Sequence, residues 1–320
     1  MTTALVFPFE NPLNPFEDPI IPIGNWIEGF VEWLVDNYRE FFQVWIKNPI
    51  NWILENIELI FQSIPQLPFL LLAPILIWQL AGPNVAILSF VCLMVIGLIG
   101  AWEEAMTTLS LVVTAVVFCT VVGVPLGIFS AINDRFQSLM KPILDVMQTL
   151  PAFVYLVPVV MLFGIGAVPG VIVTFVFAVP PLIRLTNLGI RQVQEDVVEA
   201  ALAFGSTPGQ VLQEAQIPLA MPTILAGLNQ SIMLSLSMVV IASLIGVEGL
   251  GQMVNRGIGR LDISLASEGG LGIVLLAIML DRMTQALGQP GQQPFLQRGP
   301  LGFILGKLRN PSPKPASSQS

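Results

Sequence analysis

The chain has 320 residues, 54% of them hydrophobic and 11% charged, with a net charge of −8 and no His; its mean hydropathy is +0.78. Soluble domains carry about 25% charged residues, so an ordinary water-soluble enzyme is excluded, and the acidic balance excludes a nucleic-acid partner. Without His the commonest metal ligand and general base is missing. Cys92 and Cys119 both sit in apolar runs and read as small core hydrophobes. The composition points to a membrane protein whose first partner is lipid, and the apolar runs below make it all-α and polytopic.

In chain order, residues 1–24 hold five prolines and are expected to form a disordered, Pro-rich lead. Over 25–62, Trp26, Phe30, Trp33, Leu34, Phe41 and Trp45 recur at helical spacing, with Glu28, Glu32, Asp36 and Glu40 between them. Asn48 followed by Pro49 reads as an N-cap and first helical residue opening a second amphipathic segment. Tryptophan-rich helices of this kind suit the membrane interface, as an external packing collar or as a docking surface for a soluble partner. A crossing needs about 20 mainly apolar residues. Seven such runs lie near 67–82, 84–102, 107–132, 143–164, 168–188, 222–247 and 268–287. The first is short and has room to begin near Leu59, and Gly82-Pro83-Asn84 turns it into the second, giving an accessory hairpin over 63–104. The last segment, 288–320, is Pro-, Gln- and Ser-rich and basic, and is expected to be disordered.

Orientation follows the Lys and Arg of the short connections. Nine fall on one side: Arg135, Lys141, Arg184, Arg191, Arg282, Arg298, Lys307, Arg309 and Lys314. Arg39, Lys47, Arg256 and Arg260 fall on the other. The N-terminus is therefore expected outside and the C-terminus in the cytoplasm. A cleavable leader is not expected, because the first apolar run comes late and the start is Pro-rich and acidic.

The stretch 191–221 carries the most information. Glu199-Ala200-Ala201, then Gly205, then Ile217-Pro218 recur at the spacing of a known loop pattern, with Ala215 a smaller residue where its first hydrophobe falls. Gly205 suits a helix C-terminal cap, and Thr207 before Pro208 suits the cap of a second short helix, so two short helices at an angle are expected. The pattern resembles the EAA coupling loop of ABC importer permeases. Residues 25–287 resemble the glycine betaine/proline betaine permeases of that family, through Ile217-Pro-Leu-Ala-Met-Pro222, Ser237-Met-Val-Val-Ile-Ala-Ser243, Gly249-Leu-Gly-Gln252, Leu150-Pro-Ala-Phe153 and Trp102-Glu-Glu104.

The resemblance implies a type I permease core of five spans over 105–287, preceded by accessory helices, in the plasma (inner) membrane. It also implies two copies of a separate ABC ATPase, an extracytoplasmic substrate-binding protein and a second permease copy. In the family, Glu199, Ala200, Ala201, Gly205, Ile217 and Pro218 would form the knob that enters the ATPase. The chain has no Gly-x-x-x-x-Gly-Lys-Ser/Thr phosphate loop, so ATP-Mg belongs to the partner and no cofactor or metal is expected here. Polar residues within spans are candidates for the translocation path: Gln148, Thr149 and Tyr155 in one, Asn229, Gln230, Ser231, Ser235, Ser237 and Ser243 in another. Interhelical hydrogen bonding is the competing reading. Asp145 and Arg184 are a candidate gate pair or two interfacial charges. The segment 248–267, with four glycines around Arg256 and Arg260, is expected to be a tight turn, an outer gate or a docking surface. Substrates left open by the residues are betaines, choline, carnitine, proline or another small amine. A gradient-driven transporter would want buried mid-membrane carboxylates, which the sequence lacks.

Overall fold

The computed structural model describes residues 23–288. Among the described residues every regular element is helical. The expected Pro-rich lead up to residue 22 and the tail from 289 onward lie outside the described residues.

The amphipathic stretch is one helical run from Gly24 to Ser63: α1 (Ile23–Phe41), a π-turn (Phe42–Lys47) and α2 (Asn48–Ser63). Asn48 is therefore not the N-cap expected of it. Its backbone is helical, with φ −63° and ψ −46°. The cause is the wider π-turn, which lets the Asn48 N–H donate to the Gln43 carbonyl, five residues back, immediately ahead of Pro49, which has no N–H to give. The same device recurs at Val211–Gln216, where the Ile217 N–H donates to the Leu212 carbonyl just before Pro218.

α2 stops where Ile64 becomes extended ahead of Pro65, and α3 (Gln66–Ala81) departs at 109°. The first apolar run thus starts after the proline and does not reach back to Leu59. Gly82 joins α3 to α4 (Pro83–Leu98), giving the expected hairpin. Each of these helices has 16 residues, about 24 Å at 1.5 Å per residue, short of a hydrocarbon core of about 30 Å.

Among the described residues four runs are long and apolar enough to cross unaided: α5 (Trp102–Ile132), α8 (Ala167–Arg191), the run Pro208–Ile245 that contains α11 (Ile217–Ala242), and α13 (Ile263–Leu287). The run expected at 143–164 is not one helix. α6 (Asp134–Thr149) and α7 (Ala152–Phe163) meet at 98° across Leu150-Pro151, because Pro151 cannot donate and holds Leu150 extended at ψ 133°. Seven crossings are reached only by counting both bent pairs and the shorter α4.

α8 is the central element. Two-thirds of its apolar window (67%) is buried, against 28% for α13. It lies between α5 and α11, and the buried Ser231 hydroxyl of α11 donates to its Ala178 carbonyl at 2.6 Å. The glycine-rich segment 248–267 is not a simple tight turn. It forms α12 (Leu250–Arg260), packed so closely on α13 that a Cβ at Gly257 would lie 2.5 Å from the Ala266 nitrogen. Near α12, a cavity of about 560 Å³ is lined by Glu58, Glu103, Glu104 and Glu248 with Arg256. Four carboxylates thus gather around Arg256 at one end of the bundle.

Candidate functional site

The opposite end is built from the C-termini of α5 and α8, from α6, and from the start of the α11 run. Arg191 ties it together. Its guanidinium reaches Asp134 at 2.7 Å, the Ser130 carbonyl at 2.9 Å and Asn187 at 2.9 Å, joining the last turn of α8 to the α5–α6 corner. From this base α9 (Glu195–Ala203) projects. Glu195 and Asp196 occupy its first turn, where carboxylates complement the positive end of the helix dipole.

α9 ends as the sequence leads one to expect. Gly205 has φ +89°, a conformation that costs an L-residue with a Cβ about 1–2 kcal/mol. The Gly205 N–H donates to Leu202 at 2.9 Å and the Ser206 N–H to Ala201 at 3.1 Å, the paired bonds of a Schellman cap. The chain restarts at once. The Thr207 hydroxyl accepts from the Gln210 N–H at 3.4 Å, and the Gln210 side chain accepts from the Thr207 N–H at 2.8 Å, a reciprocal capping box opening α10 (Pro208–Gln210). One expectation is corrected here. The second helix is not a short separate one; it runs through the π-turn at Val211–Gln216 into α11, so the turn stands on a single helix of 38 residues.

The knob is held from below and bare above. Val211 is buried and Ala215, Ile217, Val197, Val198 and Ala201 are half-buried, whereas Glu199, Ala200, Gly205 and Pro218 are exposed. At its tip Leu202 is 46% exposed and Phe204 92% exposed. A phenylalanine in water at the corner of a doubly capped turn contributes nothing to this subunit's own core.

The proposed gate residues do meet. Arg184 of α8 reaches Asp145 of α6 at 2.7 Å and also donates to the Gln148 side chain. The pair borders a cleft of about 430 Å³ that also touches Lys141, Asn187 and Arg191. Across the α6–α7 break, the Tyr155 hydroxyl donates to the Met147 carbonyl at 2.7 Å, a contact that spans the bend. Thr149, exposed, bonds the Val146 carbonyl at 3.4 Å.

For most of the α11 candidates the structure supplies the partners of the interhelical alternative. The Asn229 amide donates to Asp281 of α13 at 2.9 Å and its carbonyl accepts from Thr284. Ser235 is fully buried and donates to the Ser231 carbonyl at 2.8 Å. Ser237 and Ser243 bond carbonyls of their own helix turn. Interhelical and local bonding claims these groups; Gln230 is exposed. Among the described residues no group of three His, Cys, Asp or Glu side chains is placed to hold a metal.

Residues 123–289 match the family of binding-protein-dependent transport system inner membrane components, a match that takes in α8, the knob and α11 to α13. The chain belongs to that family. This permease is 51% identical over 305 residues to the glycine betaine/proline betaine transport system permease protein ProW of Escherichia coli, covering 92% of this chain and 84% of that one. It is 46% identical to the glycine betaine/carnitine transport permease protein GbuB of Listeria monocytogenes, covering 85% and 97%. It is also 43% identical to the glycine betaine transport system permease protein OpuAB of Bacillus subtilis, covering 83% and 94%. In fold it resembles the MetNI methionine ABC transporter in its inward-facing conformation, with TM-score 0.52, 20% identity, and coverage of 57% of this chain and 93% of that one. The permease is thus a multi-pass inner membrane transport subunit with an all-helical type I core.

Sequence reasoning missed several residues of this site. Phe204 and Leu202 read as ordinary helix hydrophobes, although an aromatic residue directly before a capping Gly in a polar connection is a usable signal. Arg191 reads as a charge in a short connection, and Asp134 carries no local signal. Only the fold brings them together, 57 residues apart in sequence.

Proposed function

We propose that this permease forms the translocation path of an ATP-driven importer of glycine betaine/proline betaine-type osmolytes and takes its drive through the α9–π-turn knob. The observation that carries the proposal is the bare Leu202–Phe204 tip on a rigid double cap at the head of a 38-residue helix. Such a tip is suited to bury in a groove on a partner and to pass that partner's movement along α11. Glu199, Ala200 and Gly205 form its exposed face, the half-buried Ala201 lies beneath them, and Ile217-Pro218 is its junction with the span.

On this reading two copies of an ABC ATPase bind ATP-Mg and dock at the knobs of two permease copies, a homodimer being the economical arrangement for one knob per chain. An extracytoplasmic binding protein delivers substrate to the acidic end. The basic, knob-bearing end faces the cytoplasm, placing the N-terminus outside and the C-terminus inside. The chain then divides as a lead (1–24), an interfacial collar (25–62), an accessory hairpin (63–104), the permease core (105–287) with its coupling loop (191–221), and a cytoplasmic tail (288–320). Quaternary-ammonium selection by an aromatic cage falls to the binding protein, since the tryptophans here cluster in the collar. A second reading, with carnitine as cargo, draws on the carnitine named for one of the relatives above.

Proteoliposomes holding the permease, its ATPase and its binding protein test this. Labelled glycine betaine accumulates only with ATP and all three components; accumulation by the permease alone on an ion gradient overturns the proposal. Competition by carnitine decides between the two cargo readings.

A further inference from the structure

The collar meets the core at a point to which the importer scheme gives no role. The π-turn brings Gln43 and Lys47 to the C-terminal end of α7. Lys47 Nζ donates to the Phe163 carbonyl at 2.9 Å and Gln43 Nε2 to the Leu162 carbonyl at 3.0 Å. Phe42 packs edge-on against the Phe163 ring, with centroids 5.9 Å apart. The last carbonyls of a helix have no partner within it, and a cation there meets the negative end of the dipole. Two collar side chains thus cap a core helix from more than a hundred residues away in sequence.

The capped end leads directly into a connection held on both sides. Gly164 and Gly166 have φ +86° and +129°, so the α7–α8 link has a shape that glycine adopts without strain. On its far side the Gly166 N–H donates to the Ile245 carbonyl at 3.2 Å. Gly170 approaches Val247 so closely that a Cβ there would lie 2.4 Å from its Cγ2. Ile245 is the last residue of the run Pro208–Ile245, whose other end carries the knob. Collar, α7 end, glycine link and the far end of the knob-bearing helix therefore form one continuous set of contacts.

We infer that Lys47 and Gln43 are positioning residues of an outer latch, which seats the α7–α8 link against the end of the α11 run opposite the knob. A helix pushed at one end reorients only if its other end is held; otherwise it slides. The latch supplies the held end, so that a push from the ATPase opens a path. Lys47 contributes most, because a charge-assisted hydrogen bond is roughly twice as strong as a neutral one. The inference rests on the importer reading for its consequence in transport, and on geometry alone for the contact.

Two measurements on Lys47→Met, with Lys47→Arg as the conservative variant, test it. In proteoliposomes of the full complex, Lys47→Met lowers glycine betaine taken up per ATP hydrolysed about tenfold, the size of one lost charge-assisted hydrogen bond. ATP hydrolysis itself stays within about twofold, and Lys47→Arg restores the ratio. Uptake and hydrolysis falling in proportion overturns the latch, since loss of structure alone gives that result. In the purified full chain in detergent, amide exchange at 164–166 and 245–247 rises in Lys47→Met and stays as in the wild type at 199–206. Unchanged exchange at 164–166 overturns the latch whatever the transport result. Should exchange rise as stated while the wild-type complex takes up no betaine, the latch stands and the importer reading falls.

Discussion

Phe204→Ala separates docking from folding. The side chain is 92% exposed, and the bond that fixes its backbone runs from the Phe204 N–H to the Ala200 carbonyl at 3.1 Å, which alanine keeps. In the isolated permease the substitution should therefore stay within about 0.5 kcal/mol of the wild type. Full burial of a phenylalanine against a partner stabilises by about 1.5–3 kcal/mol, and each 1.4 kcal/mol is about tenfold in affinity. Loss of the ring should weaken ATPase association roughly 10- to 150-fold on that arithmetic. Leu202→Ala, starting from a side chain 46% exposed, should cost less. The assay is binding of purified ATPase to the permease in nanodiscs, with thermal unfolding of the permease alone as control. Affinity within twofold of the wild type would refute the docking role, and so would a melting shift large enough to account for weaker binding.

Three further outcomes are expected. Gly205→Val places a β-branched residue at φ +89° and should loosen the cap by at least 1–2 kcal/mol, seen as faster exchange of the Ser206 amide and weaker ATPase binding, while Gly205→Asn, which tolerates this region, should be milder. Asp145→Ala and Arg184→Ala should each reduce uptake in proteoliposomes. Their side chains are 54% and 40% exposed, so neither should shift stability by more than about 1 kcal/mol, and exchanging the two charges should restore uptake; wild-type uptake in both single variants would remove the gate assignment. Asn229→Leu removes one of the two side-chain amides that donate to Asp281, leaving that of Gln285, and should destabilise by about 1–3 kcal/mol in thermal unfolding with the KM for glycine betaine unchanged; a changed KM at normal stability would place Asn229 on the path.

Helix identity, the hairpin turn and the double cap at Gly205 and Thr207 were legible because each is a local rule. Apolar run length, a glycine after the last helical residue and a hydroxyl before Pro-x-Gln need no knowledge of distant neighbours. What the sequence hid was of two kinds. Prolines act according to context: Pro49 and Pro218 ride in continuous helices because a π-turn precedes each, whereas Pro65 and Pro151 break the chain by 109° and 98°. Long-range polar pairing also leaves no local trace. Asn229 with Asp281, Ser231 with Ala178, and Lys47 with Phe163 are partners of tertiary packing, and each removes a polar group that reads as free in the sequence. Asp145 and Arg184 were paired in advance only because both fell near the same ends of adjacent spans.

The central claim is that the knob tip sits in the ATPase, and a photoreactive phenylalanine analogue at position 204 tests it most directly. In membranes holding the assembled complex, illumination should give one cross-linked product, permease joined to ATPase, which is absent when the ATPase is omitted. Cross-links only to lipid, to the binding protein or to another permease copy would contradict it.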